Sequence, residues 1–152
     1  MILNSRIIGS SQKKIIILHG LLGSLDNWIT FGRKISNEGF EVHLVDQRNH
    51  GKSFHSNEFS YEHMANDLKN YFNHFNIEKA SIIGHSMGGK TAMLFALQNS
   101  DLSNKLIIVD ILPVSYERDY ELIFDSLLNI DLSTIKSRND FYLHLKKYFS
   151  ED

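Results

Sequence analysis

Three features of this sequence predict an α/β fold with a mostly parallel sheet and helices on both faces. Short aliphatic runs alternate with helix-length amphipathic segments in the order β-α-β-α-β-α-β. The strand candidates lack polar alternation, as expected of strands covered on both sides. Their carboxyl ends carry His19-Gly20, Asp46, Gly84 to Gly88 and Asp110, and open parallel sheets gather their sites at those ends.

The elements follow in order. Ile15 to Leu18 is a β-branched run that stops at His19-Gly20 and reads as a buried strand. Leu25 to Asn37 can form a helix, stopped by Gly39. Glu41 to Asp46 is a second strand with an acid at its end, and Gln47 to Asn57 is a polar loop. Ser60 is an N-cap for a helix to about Phe75, with Met64, Leu68, Tyr71, Phe72 and Phe75 at helical spacing. Lys79 to Ile83 is a third strand, Lys90 to Gln98 a third helix and Lys105 to Val109 a fourth strand. Crossovers between parallel strands are expected to be right-handed.

Past Pro113, the only proline, the pattern changes. Tyr120, Ile123, Phe124, Leu127 and Leu128 fall on one helical stripe, and Phe141, Leu145, Tyr148 and Phe149 on another. The expected division is a core over 1–116 and a helical cap over 117–152. No repeat, low-complexity tract or linker interrupts the chain.

Composition narrows the function classes. At 152 residues, 42% hydrophobic and 22% charged, the chain is an ordinary globular sequence with room for a core. A net charge of -2 gives no argument for nucleic acid or an anionic membrane surface. The absence of cysteine excludes disulfides and thiolate metal sites and fits a reducing compartment, with the cytoplasm as the expected location. Met1 to Lys14 lacks a signal-peptide apolar region, and no apolar run is long enough to span a bilayer. Histidine spacing suggests no metal site, and no cofactor is expected.

Gly84-His85-Ser86-Met87-Gly88 has the form G-x-S-x-G between a strand and a helix, the setting of a nucleophile elbow. Ser86 is therefore the candidate nucleophile. Such a serine needs two backbone N–H groups to stabilise the developing oxyanion. One is expected from Met87, the residue after the nucleophile. The other is expected from the loop His19-Gly20-Leu21-Leu22-Gly23-Ser24, with Leu21 as first candidate and Leu22 as its alternative. Asp110, at the end of the following strand, is the candidate acid that would orient a histidine. It could equally cap or pair locally, and in many enzymes with this elbow the acid comes one strand later.

These stretches, with Val45-Asp46-Gln47-Arg48-Asn49-His50-Gly51-Lys52-Ser53, Ile83 to Lys90 and Val109-Asp110-Ile111-Leu112-Pro113-Val114, occur in an order that resembles the α/β-hydrolase fold. Within it the resemblance is strongest to bacterial YbfF-type esterases and runs from about Ile15 to Tyr116. It implies hydrolysis of an acyl ester or thioester through an acyl-enzyme on Ser86, favours Asp110 as the acid, and gives Asp46 and Arg48 an architectural role. It also implies a C-terminally truncated fold whose tail begins a helical lid, with a catalytic histidine beyond residue 152. His19, His43, His50, His55, His63, His74, His85 and His144 do not take that place. The chain alone is accordingly expected to turn over little ester, and a truncated sheet edge is expected to favour association. The apolar tail face suggests an apolar acyl group.

Two other readings compete. Gly84 to Thr91 also satisfies the phosphate-binding pattern G-x-x-x-x-G-K-[ST], with Lys90 and Thr91 as its cation and hydroxyl, and Leu106 to Asp110 mimics the partner acidic strand. Against it, two strand–helix units precede the motif, and the other motifs go unexplained. A non-catalytic binding module on the same fold is the third reading.

Overall fold

Side chains alternate along a strand, so Ile15 and Ile17 enter one apolar layer while Ile16 and Leu18 enter the opposite one. All four are buried, which explains why this strand reads as a continuous apolar run. The computed structural model describes residues 1–114 and 121–149, the side chains of 121–123 excepted. Its described strands are β1 (Ser5–Ile8), β2 (Lys14–Leu18), β3 (Glu41–Val45), β4 (Ala80–His85) and β5 (Ser103–Val109). They form one sheet in the order β1-β3-β2-β4-β5. Pairings β2–β3, β2–β4 and β4–β5 are parallel.

The exception is β1, which runs antiparallel to β3 with Ser5 opposite Val45. The sequence did not announce it. Ser-Arg-Ile-Ile is short and half polar, and its pairing is made with residues far along the chain.

Helices cover both faces. A 3-10 turn (Leu25–Trp28) leads into α1 (Ile29–Asn37), so the expected single helix is broken in two. With Val42 and Leu44, this region forms the smaller apolar layer. On the other face lie α2 (Tyr61–His74) and α3 (Met87–Gln98). Their Ala65, Leu68, Tyr71, Phe72, Ala92 and Phe95 pack with Ile16, Leu18 and Ile82. Ser60 caps α2, its hydroxyl accepting from the His63 N–H at 3.3 Å. α3 starts three residues before the expected Lys90, at Met87.

The chain divides into two compact units, Met1–Pro113 and Val114–Asp152. In the second, the described elements are α4 (Glu121–Leu128) and α5 (Arg138–Leu145). Ser137 caps α5 by accepting from the Asp140 N–H at 3.2 Å. Tyr120 and the Ile123 side chain of the first expected stripe, the Tyr116 boundary and the terminal Glu151-Asp152 lie outside the described residues. α5 ends at Leu145, so of the second stripe Tyr148 falls in the turn after the helix and Phe149 just beyond it.

Candidate active site

The loops after β2, β3 and β4 meet at the carboxyl end of the sheet. At the end of β4 the backbone turns sharply into α3 through Ser86, at φ 50° and ψ -115°. A non-glycine residue with positive φ costs energy and persists only where its surroundings enforce it. The sequence supplies the enforcement. A Cβ on Gly84 would lie 2.4 Å from the Gly88 carbonyl oxygen, so only glycine lets strand end and helix start fold against each other. The Ser86 N–H donates to the Val109 carbonyl at 2.9 Å, and its carbonyl accepts from the Gly89 and Lys90 N–H groups at 2.9 and 3.2 Å. The Ser86 side chain makes no cap to α3. Its Cβ lies at the positive end of that helix.

The loop after β2 runs beside this turn. A Cβ at Gly20 would lie 3.3 Å from Ser86 Cβ and 2.9 Å from His85 Nδ1. Leu22, at φ 59°, closes the loop, and its N–H donates to His50 Nε2 at 3.2 Å. That bond engages the alternative oxyanion donor. Among the described residues the N–H groups of Leu21 and Met87 have no acceptor. A cleft of about 540 Å³ opens here, lined among others by Leu21, Leu22, Asn27, Trp28, Phe31 and His85. Trp28 sits with its ring 6.1 Å from that of His85 and 5.6 Å from that of Phe31.

Asp46 and Arg48 brace the surrounding loops. Asp46 Oδ1 accepts from the Leu25 N–H at 2.7 Å, and Oδ2 from Asn4 Nδ2 at 2.7 Å and the Lys52 N–H at 2.9 Å. Arg48 grips Asp67 on α2 through Nε–Oδ2 at 2.6 Å and Nη2–Oδ1 at 2.8 Å. It also donates to the Glu58 carbonyl.

Asp110 stands at the end of β5 with φ 54° and its side chain 86% exposed. Its Oδ2 lies 3.8 Å from His85 Nε2. Among the histidines of Met1–Pro113, none is hydrogen-bonded to the Ser86 hydroxyl. Burial is the chief reason that the His19 and His43 imidazoles are held below the usual histidine range. Among the described residues no group of His, Asp and Glu side chains could hold a metal ion.

The site thus brings the Leu21 loop beside Ser86 and Met87, and it adds residues that sequence reasoning passed over. Trp28 and Phe31 read as ordinary helix residues, and His50 as a loop histidine. The phosphate-binding reading finds no support in the geometry. The Thr91 hydroxyl is buried and donates to the Met87 carbonyl at 3.2 Å, which turns it away from any phosphate. Lys90 Nζ lies 5.9 Å over the Tyr61 ring.

Residues 13–133 match the family described as the alpha/beta hydrolase fold. The chain is 36% identical over 143 residues to the esterase YbfF of Escherichia coli, covering 93% of this chain and 56% of that protein. It is 46% identical over 101 residues to the sn-1-specific diacylglycerol lipase ABHD11 of Mus musculus, covering 66% of this chain and 33% of that one. A solved esterase from a marine microorganism superposes with a TM-score of 0.87 at 42% identity, over 99% of this chain and 59% of that chain. The chain therefore spans between a third and three fifths of the length of these relatives.

Proposed function

The chain belongs to the alpha/beta hydrolase fold family, and on that premise we propose that it carries the nucleophile and oxyanion half of a serine hydrolase for acyl esters or thioesters. One observation carries the reading: the strained Ser86 elbow lies against a loop whose Leu21 N–H is unengaged, as is that of Met87. Ser86 Oγ attacks the acyl carbonyl carbon, and the π electron pair moves to the oxygen. The Leu21 and Met87 N–H groups hold that oxyanion. Collapse expels the alcohol or thiol and leaves the acyl group on Ser86. Water then hydrolyses this ester by the same steps.

The Ser86 proton must pass to a base, and Asp110 is the acid that would orient an imidazole there. No histidine of Met1–Pro113 is bonded to Ser86, so the chain by itself is expected to be nearly inactive. The apolar wall of Leu21, Leu22, Trp28 and Phe31 fits a hydrophobic acyl group. Relatives of esterase and lipase name support an ester substrate. The cysteine-free sequence supports a cytoplasmic location. Among the described residues no helix is long and apolar enough to cross a membrane.

The test is covalent labelling. Over hours at mildly alkaline pH, a fluorophosphonate is expected to add once to the chain, at Ser86 by peptide mass mapping, and not to Ser86→Ala. A folded chain that stays unlabelled overturns the nucleophile. Rapid p-nitrophenyl acetate turnover that Ser86→Ala abolishes overturns the inactivity.

A further inference from the structure

The loop that carries Leu21 is held at both ends by imidazoles. His50 Nδ1 lies 2.9 Å from the Arg48 carbonyl oxygen. A carbonyl only accepts, so Nδ1 carries the proton and Nε2 offers its lone pair to the Leu22 N–H. His19 repeats the arrangement. Its Nδ1 donates to the Gly20 carbonyl at 2.8 Å, and its Nε2 accepts from the Gln47 N–H at 3.1 Å. The two rings stand 5.1 Å apart, centroid to centroid.

This geometry fixes the direction of the intervening donor. The Gly20 carbonyl takes hydrogen bonds from His19 Nδ1 and from the Gly23 N–H at 3.1 Å. In a planar trans peptide the C=O and N–H point opposite ways, so the Leu21 N–H is turned away from His19. Flipping that peptide would break both bonds. The next N–H, that of Leu22, is tied to His50, which keeps the loop from rotating as a unit.

We propose that His50 is a positioning residue for the oxyanion loop, acting with His19, and that both hold the loop only as neutral imidazoles. The proposal rests on the reading of Leu21 as an oxyanion donor. Protonating His50 places a hydrogen on Nε2, opposite the Leu22 N–H, where two donors cannot bond. The charge would also arise beside the His19 ring, whose other electrostatic neighbours are Asp46 and His85. The remaining groups around His50 do not substitute as acceptors. The Arg48 guanidinium is committed to Asp67, and Phe59 presents a ring 6.2 Å away.

Amide NMR of the full 15N-labelled chain tests this without turnover. The Leu22 amide is expected to titrate in step with the His50 ring protons. Its protection from exchange, corrected for intrinsic pH dependence, is expected to fall at least about tenfold on protonation. In His50→Gln, whose amide oxygen can accept at the place of Nε2, Leu22 is expected to stay protected with no titration. In His50→Phe, protection is expected to be lost at every pH. Leu22 protection that persists through the His50 titration, or in folded His50→Phe, overturns the proposal. The oxyanion reading is tested apart, by Ser86 labelling with a fluorophosphonate on the alkaline plateau. His50→Phe is expected to slow it at least about tenfold. If Leu22 responds as expected while labelling is unchanged, Leu21 is overturned as the donor and the imidazole clamp stands.

Discussion

Gly88, at the start of α3, packs so closely on the end of β2 that a Cβ there would lie 2.5 Å from the Leu18 carbonyl oxygen. The His19 carbonyl oxygen would be only 2.6 Å away. Both are buried backbone atoms, one at the last residue of the central strand and one at the residue after it, so neither can give way as a side chain could. Gly88→Ala is expected to push α3 off the sheet and to cost about 1–3 kcal/mol, the usual penalty of overpacking. Urea denaturation measures it as a lower midpoint at unchanged slope. A midpoint equal to that of the parent would mean that the elbow can shift to admit a methyl group.

Arg48 and Asp67 form a buried two-bond ion pair between the loop after β3 and α2. Removing one member leaves a buried charge without its partner. Arg48→Met is therefore expected to cost about 3–5 kcal/mol. The double variant Arg48→Met/Asp67→Leu is expected to recover much of that loss, because neither charge remains to be desolvated. The check is a double-mutant cycle from urea unfolding. Additive losses in the two single variants would refute a direct coupling. Arg48 lies two positions before His50, so the single variant is also expected to broaden the Leu22 amide resonance.

The parallel part of the fold was legible because its code is local. Runs such as Ile15 to Leu18 declare a strand buried on both faces, and Ser60 declares the start of α2. β1 was not legible, since Ser5–Ile8 becomes a strand only by pairing with β3. The start of α3 was misplaced for a related reason. Gly88 and Gly89 read as a turn in isolation, and contact with Leu18 and Gly84 makes them helical. At the site, Ser86 could be read from the motif and its setting. The bonds of His50 to Leu22 and of Asp46 to Asn4, Leu25 and Lys52 join segments distant in sequence, and no local pattern encodes them.

Acid is expected to destabilise the chain through His19 and His43. Burial is the largest influence on both, and it holds their imidazoles below the usual histidine range. The unfolded chain takes up these protons near the ordinary histidine value of about 6.5, whereas the folded chain resists. The unfolded state thus binds more protons as the pH falls, and stability rises with pH. The contribution is complete above about 6.5 and is lost as the pH drops through the lower folded values. Urea midpoints from pH 7.5 to 5 are expected to decline, and His19→Gln is expected to flatten the decline. A parent curve that is level over this range would contradict the neutral, buried assignment of His19.

The last prediction separates a hydrolase elbow from a phosphate-binding loop, since Gly84 to Thr91 spells both patterns. A phosphate loop needs a free hydroxyl for magnesium and a lysine directed at the phosphates. Here Thr91 is 1% exposed, and its hydroxyl is bonded to the carbonyl one turn back. The segment also passes through the Ser86 bend before the helix begins, so the first N–H groups of α3 follow a strained turn and not a glycine-rich cradle. Isothermal titration with Mg-ATP is expected to give no saturable heat. Thr91→Val keeps the buried shape and removes both the donor and its need for a partner, so it is expected to change stability by less than about 1 kcal/mol. Saturable Mg-ATP binding that Lys90→Ala abolishes would overturn this distinction and return the motif to nucleotide chemistry.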